Sequence, residues 1–207
     1  MATDPTVFVV DDDPGMRQSM RWLLQSVNLK VETYATAEEF LHAHDPTRPG
    51  CLLLDVRMPG MSGLQLQEEL VARKVRLPII ILTGYAEVPT AVRALKMGAV
   101  DFIEKPFSDE ALLDRVLKAI EIDRQARVAN AERAAAEARL TLLTSREREV
   151  MERVIAGKAN KVIATELGIG EKTVEAHRAQ VMKKVEVDSL AELIRLVMTA
   201  AGNKGKP

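Results

Sequence analysis

The stretch Cys51-Leu52-Leu53-Leu54-Asp55-Val56-Arg57-Met58-Pro59-Gly60 decides how this chain folds. Four apolar residues in a row give a short buried-strand signal that ends on a carboxylate. Pro59-Gly60 then turns the chain. Asp55 therefore falls at the carboxyl end of a strand, the edge where open α/β sheets bind ligands. Taken alone, an aspartate there is as readily a strand-end cap or turn former. Its meaning depends on what the flanking chain brings to the same edge.

Working outward, the pattern recurs. Val7-Phe8-Val9-Val10 runs into Asp11-Asp12-Asp13, with Pro14 opening a helix. A run near Val31 to Tyr34 precedes Thr36-Ala37-Glu38-Glu39, a capping-box start. Pro78-Ile79-Ile80-Ile81-Leu82 stops on Thr83-Gly84, and Val100-Asp101-Phe102-Ile103 stops on Glu104-Lys105-Pro106. Helical spacing links Met16, Met20, Leu23, Leu24 and Val27, then Leu66 and Leu70, then Leu112, Leu113, Val116, Leu117 and Ile120. Short strands alternating with helices predict a parallel sheet with helices on both faces. Four strand ends then deliver Asp11, Asp12, Asp13, Asp55, Thr83 and Lys105 to one edge.

Carboxylates crowded together repel unless a cation joins them. Oxygen ligands on rigid strand ends suit Mg²⁺, which keeps several waters and takes one or two carboxylates plus a phosphate. With a metal screening an incoming phosphoryl group, a carboxylate can attack it as nucleophile. Lys105 can neutralise one phosphoryl oxygen and the Thr83 hydroxyl can donate to another. Phosphoryl transfer needs mainly positioning and charge stabilisation, and these parts supply both.

Over residues 5–122 the sequence resembles the receiver domain of two-component response regulators, a flavodoxin-like (βα)5 fold. The likeness rests on the acidic pair after the first strand, Asp55 with Met58-Pro59-Gly60 behind it, Thr83, and Lys105-Pro106. It implies that Asp55 is the phosphoacceptor for a sensor histidine kinase. It implies Mg²⁺ held by Asp12, Asp55 and the backbone carbonyl of Arg57, with Asp11 helping through water. Thr83 and Lys105 would grip the phosphoryl group, and Phe102 matches the family's rotating aromatic. Asp13 reads as a solvated turn residue. Asp11-Asp12-Asp13 after a buried strand also resembles the haloacid-dehalogenase phosphatases, with Asp11 as nucleophile. Pro14-Gly15 departs from that motif, and no specificity cap is visible.

From Asp109 to Leu140 the chain has neither glycine nor proline. Residues 121–140 are strong helix formers except at Asp123 and Asn130. One long helix is expected. Val128, Ala131, Ala135, Ala138 and Leu142 fall on a heptad, which suits either a dimerising helix or a solvated spacer. The division expected is 1–122, a helical linker 123–140, and 141–207.

The last part reads as four short helices. Thr144-Ser145-Arg146-Glu147 is a capping box ahead of Val150, Met151, Val154 and Ile155. Val162, Ile163 and Leu167 mark a short helix closing on Gly168. Val174, Val181 and Val185 face inward on the next, and Leu193, Ile194, Val197 and Met198 mark the last. The tight glycine turn between the second and third spells helix-turn-helix. Lys172, Ala176, Ala179 and Lys183 share one outer face, with Glu175 and Arg178 beside it; such a helix can enter a major groove.

Across 141–200 the words Leu143-Thr144-Ser145-Arg146-Glu147, Asn160-Lys161, Ile163-Ala164 and Lys172-Thr173-Val174, with His177, Arg178 and Lys184, resemble the NarL/FixJ (LuxR-type) DNA-binding domain. That likeness implies contacts to double-stranded promoter DNA from Lys172, Thr173, Glu175, Ala176, Arg178, Ala179 and Lys183. Gly170 departs from it, standing where the family usually has a serine-like cap. The whole chain thus resembles FixJ-type response regulators, the group that includes styrene- and toluene-pathway regulators. The resemblance implies no enzyme activity beyond phosphorylation and dephosphorylation at Asp55. It implies a homodimer on activation, transcription control at a near-palindromic promoter, and RNA polymerase as a further partner. The alternative is a phosphorylation-independent DNA-binding protein whose receiver is a dimerisation module or phosphate sink.

Composition sets outer bounds. Basic and acidic side chains number 11 and 14 over residues 1–107 but 12 and 9 over 141–207, a tail excess too small to signal nucleic-acid binding without the motifs. Aromatics, 3% of the chain, are too few for a base-stacking platform. The single cysteine, Cys51, reads as core packing. No apolar run approaches the ~18–20 residues that span a bilayer, and no basic-then-apolar leader opens the sequence, so a cytoplasmic protein with no membrane partner is expected.

Overall fold

A computed structural model describes residues 4–84 and 88–202, with the backbone alone over 88–91. It resolves into two compact units, Met1–Ala126 and Arg127–Pro207.

In the first unit, β1 (Thr6–Val10), β2 (Lys30–Tyr34), β3 (Gly50–Asp55), β4 (Ile79–Thr83) and β5 (Asp101–Glu104) form one parallel sheet in the order β2-β1-β3-β4-β5. Strand side chains alternate between faces, and the apolar runs divide accordingly. Phe8, Val10, Leu52, Leu54, Ile79 and Ile81 cluster with Phe40, Leu66, Leu70 and Ala94 from α2 (Ala37–Ala43), α3 (Gly63–Ala72) and α4 (Val88–Lys96). Val7, Val9, Cys51, Leu53, Ile80 and Leu82 cluster with Met20, Leu24, Leu112 and Val116 from α1 (Pro14–Ser26) and α5 (Asp109–Thr141). Both faces are covered, which explains why these strands read as unbroken apolar runs. Cys51 lies inside this packing, and burial, with Asp123 adding to it, pushes its thiol up to about 12. It is a core residue.

The opposite end of β3 is pinned to α5. Gly50 has φ +147°, and a Cβ there would lie 1.8 Å from the Thr6 carbonyl oxygen, so only glycine fits. Its N–H donates to Asp123 Oδ2 at 2.9 Å. Asp123, a weak point in a helix-forming run, is thus a buried anchor of α5 on the sheet.

In the second unit, α6 (Ser145–Ile155), α7 (Asn160–Leu167), α8 (Glu171–Lys184) and α9 (Leu190–Ala201) enclose a core of Val150, Met151, Val154, Ile163, Val174, Val181, Val185 and Leu193. Ala136 and Leu140, from the end of α5, are buried in the same core together with Leu143. Of the heptad positions, Val128 and Leu142 are 48% and 59% exposed, and Ala131, Ala135 and Ala138 are exposed as well. The buried stripe is therefore one step round the helix from the heptad. The capping box forms as read: Thr144 Oγ1 accepts from Glu147 N, and Thr144 N donates to Glu147 Oε2 at 2.8 Å. Among the described residues no helix is long and apolar enough to cross a membrane.

Candidate functional site

The carboxyl ends of β1, β3, β4 and β5 meet at one edge of the sheet. Asp55 closes β3 and is 8% exposed; Asp11 follows β1 and is 1% exposed. The Lys105 ammonium, just past β5, joins them. Its Nζ donates to Asp11 Oδ2 at 2.8 Å and to Asp55 Oδ1 at 2.5 Å. The second Asp55 oxygen accepts from the Arg57 N–H at 2.7 Å. Lys105 is itself fixed, because its own N–H donates to the carbonyl of the buried Thr83 at 2.7 Å. Parallel pairing dictates this convergence: Val10 sits opposite Leu54 and Asp55 opposite Leu82, so all the strand ends face the same way.

One ammonium serves two carboxylates, so the edge keeps an excess of negative charge. Burial pushes the Asp55 carboxyl above the ordinary aspartate range, and Asp11 adds to this, while Lys105 and the Arg57 N–H pull the other way. Burial works against the Lys105 cation too, but its hydrogen bonds to Asp11 and Asp55 prevail and hold its pKa above normal. Lys105 is therefore a fixed positive charge at neutral pH.

Asp12 is exposed beside Asp11. Phe102, on β5, is half-buried and packs against the core shared with Phe8 and Leu54. Asp13 departs from its reading as a solvated turn residue. Its Oδ1 accepts from Gly15 N at 2.8 Å and Met16 N at 3.3 Å, so it is the N-cap of α1. It fixes where α1 starts and so where the Asp11–Asp12 loop ends.

The second unit offers a different surface. α7 ends at Gly168, in the left-handed region at φ 65°, and the turn leads through Gly170 into α8. On α8, Val174, Val181 and the following Val185 are buried. Lys172, Thr173, Glu175, Ala176, Ala179 and Lys183 are exposed along the other side. Arg178 lies at the flank, half-buried, with Nη1 donating to Asn160 Oδ1 at 2.7 Å. This bond ties α8 to the first turn of α7 and was not legible in the sequence, although Asn160 and Arg178 both carry the resemblance. The N-cap position, Gly170, makes no side-chain cap bond, and a Cβ there would meet only Thr173 Oγ1 at 3.7 Å. The buried Glu147 accepts from Lys184 Nζ at 2.7 Å as well as from Thr144. Lys184 therefore braces the foot of α8 against α6.

Comparison with known proteins agrees with both halves. Residues 7–117 match the model of the response regulator receiver domain, and residues 141–197 match that of the luxR family of bacterial regulatory proteins. The chain is 46% identical to nodulation protein W of Bradyrhizobium diazoefficiens, over 96% of this chain and 87% of that one. It is 45% identical to the transcriptional regulatory protein FixJ of the same organism, over 97% of this chain and 98% of that one. The solved structure of the response regulator StyR superposes with a TM-score of 0.85 at 45% identity, over 94% of this chain and 98% of that one. The receiver match, taken with the luxR-family match and the full-length likeness to FixJ, places the chain among response-regulator transcription factors and sets aside the phosphatase reading. The chain belongs to the FixJ/NarL family of two-component response regulators and acts as a transcriptional regulator through its LuxR-type DNA-binding domain.

Proposed function

We propose that Asp55 is the residue phosphorylated by the partner histidine kinase, and that phosphorylation promotes dimerisation and promoter binding. The observation that carries this is the shared ammonium: Lys105 holds Asp55 Oδ1 and Asp11 Oδ2 together at the ends of three strands. An Asp55 oxygen attacks the phosphorus of the kinase phosphohistidine. A P–O bond forms as the P–N bond breaks, and the imidazole leaves. Arg57 N–H keeps the carboxylate oriented during attack. Lys105 can exchange its Asp55 bond for a phosphoryl oxygen while keeping Asp11. Thr83, at the end of β4, supplies a hydroxyl to another oxygen.

The surplus of carboxylate over ammonium at this edge fits a divalent cation. Asp11, Asp12, Asp55 and the carbonyl of Arg57 would hold Mg²⁺. A small ligand set completed by water suits that ion. When bound, Mg²⁺ supplies neutralisation of the phosphoryl oxygens.

The new group carries ~−1.5 to −2 charge. Thr83 turns toward it, Phe102 rotates inward, and the α4–β5–α5 face changes shape. Two protomers pair, and their α8 helices occupy half-sites about one helical turn apart. Lys172, Thr173, Glu175, Ala176, Ala179 and Lys183 face the DNA, with Arg178 at the edge of that surface. The bound dimer then engages RNA polymerase. The protein works in the cytoplasm. Asp55→Asn should abolish phosphate-dependent binding while leaving basal DNA affinity in place. Equal promoter affinity with and without a phosphoryl donor in the wild type would instead favour a receiver that serves only as a dimerisation module or phosphate sink.

A further inference from the structure

Gln67 is a polar residue inside the core of the first unit. It lies on α3 among Leu66 and Leu70 and is fully buried. Its Nε2 donates to the Ala94 carbonyl of α4 at 2.9 Å. Its Oε1 is buried and has no hydrogen-bond partner among the described residues. Turning the amide over offers no relief, because Oε1 would then face the Ala94 carbonyl, an acceptor against an acceptor. That carbonyl already accepts from Met97 N at 3.1 Å and Ala99 N at 3.0 Å, which close the end of α4. One side chain therefore ties the two helices that follow the Asp55 and Thr83 strands, and it does so with half of its amide unsatisfied.

A buried orphan acceptor raises the free energy of the arrangement that contains it. Any shift of α4 against α3 that admits a backbone N–H or a water to Oε1 removes that penalty. We propose that Gln67 is a positioning residue for the switch. It latches α4 to α3 in the resting receiver, and its unpaired carbonyl biases α4 towards release once Asp55 is modified. This rests on the reading of Asp55 as the phosphoacceptor. The Gln67 amide bonds to the Ala94 carbonyl and makes no hydrogen bond to Asp11, Asp55 or Lys105, so its effect falls on the response and not on the chemistry.

The test uses the full chain and two variants. Gln67→Met keeps an unbranched chain of similar length, and Gln67→Leu fills the space in another shape; both remove latch and orphan together. Asp55 should be labelled by acetyl phosphate with Mg²⁺ at the wild-type rate in both. Without the phosphoryl donor, the amides of Met97 and Ala99 should exchange with solvent at least about fivefold faster than in the wild type. The donor-induced rise in dimer fraction, read by sedimentation, should fall at least about threefold. Unchanged exchange at Met97 and Ala99, or an unchanged donor response in a normally labelled variant, overturns the proposal. A wild-type protein that shows no response to the donor would refute the Asp55 reading instead. The exchange of the unphosphorylated protein would still decide whether the latch exists.

Discussion

Leu140 lies in the last turn of α5 and Leu142 just past its end, and the structure gives them opposite fates. Leu140 is buried in the core of the DNA-binding unit, and its carbonyl accepts from Arg148 Nη2 at 2.9 Å. Leu142 is mostly exposed and sits on the heptad that a dimerising linker would use. Truncating a buried leucine costs about 2–5 kcal/mol, and a site at the margin of a small core belongs at the low end, about 2–3 kcal/mol. At ~1.36 kcal/mol per decade this raises the opening equilibrium roughly 30- to 150-fold. Leu142→Ala should change it by less than about 0.5 kcal/mol, as surface substitutions do. A two-unit chain need not unfold in one step, so the assay is native-state hydrogen exchange on the full-length protein, read at the core amides of Val150 and Val181. Equal effects, or a larger one from Leu142→Ala, would refute the packing argued for α5 and restore the heptad as the working face of the linker.

Val154 lines an apolar cavity of about 80 Å³ together with Met151, Val181, Leu193 and the stem of Arg178. Val154→Ile should fill part of it and stabilise the unit by up to ~0.8 kcal/mol, seen as a higher melting temperature; a lower one would mean the cavity cannot take a methylene. The Lys184 hydrogen bond, then the Thr144 N–H, hold the Glu147 carboxyl below its usual range. Its stabilising contribution is complete above the unfolded value of about 4.3 and is lost as pH falls through the lower folded value. Glu147→Gln should therefore lower stability at neutral pH and flatten the acid limb of the tail unit's stability curve; an unchanged acid limb counts against the bridge. Arg178→Ala should weaken binding to specific and random duplexes alike and reduce the salt slope by about one. That is the behaviour of a phosphate contact; if sequence preference relaxes instead, Arg178 reads a base.

The three central strands, β1, β3 and β4, were legible because both faces of the sheet are covered there, so each carries an uninterrupted apolar run; β2 and β5 lie at the edges and mix in polar residues. The site was legible because parallel pairing obliges every strand to deliver its last residue to the same edge. The side chains that depend on tertiary partners were not. Asp123 and Gln67 are polar residues in helices, and nothing in a helical period says that one will meet the Gly50 N–H and the other the Ala94 carbonyl. A signal existed for both: Asp123 breaks a run of strong helix formers, and Gln67 adjoins Leu66 on the apolar side of its helix. The linker's buried stripe was not legible for a physical reason. Alanine-rich helices offer several weak stripes of similar quality, and the choice between Ala136–Leu140 and the heptad is made by the core that receives them. Arg178 was read beside the outer face, where it lies, but its bond to Asn160, eighteen positions earlier, is invisible to periodicity.

The central claim is that a phosphoryl group on Asp55 changes assembly and DNA binding. The most direct measurement treats the full-length protein with acetyl phosphate and Mg²⁺ and maps the modified residue by mass spectrometry. The same sample is then titrated onto a duplex that the protein selects from random sequence. The account predicts label on Asp55, none on Asp55→Asn, a rise in dimer fraction, and a gain in affinity of about tenfold or more in the wild type alone. Label on another residue, or label on Asp55 with dimer fraction and affinity unchanged, would contradict it.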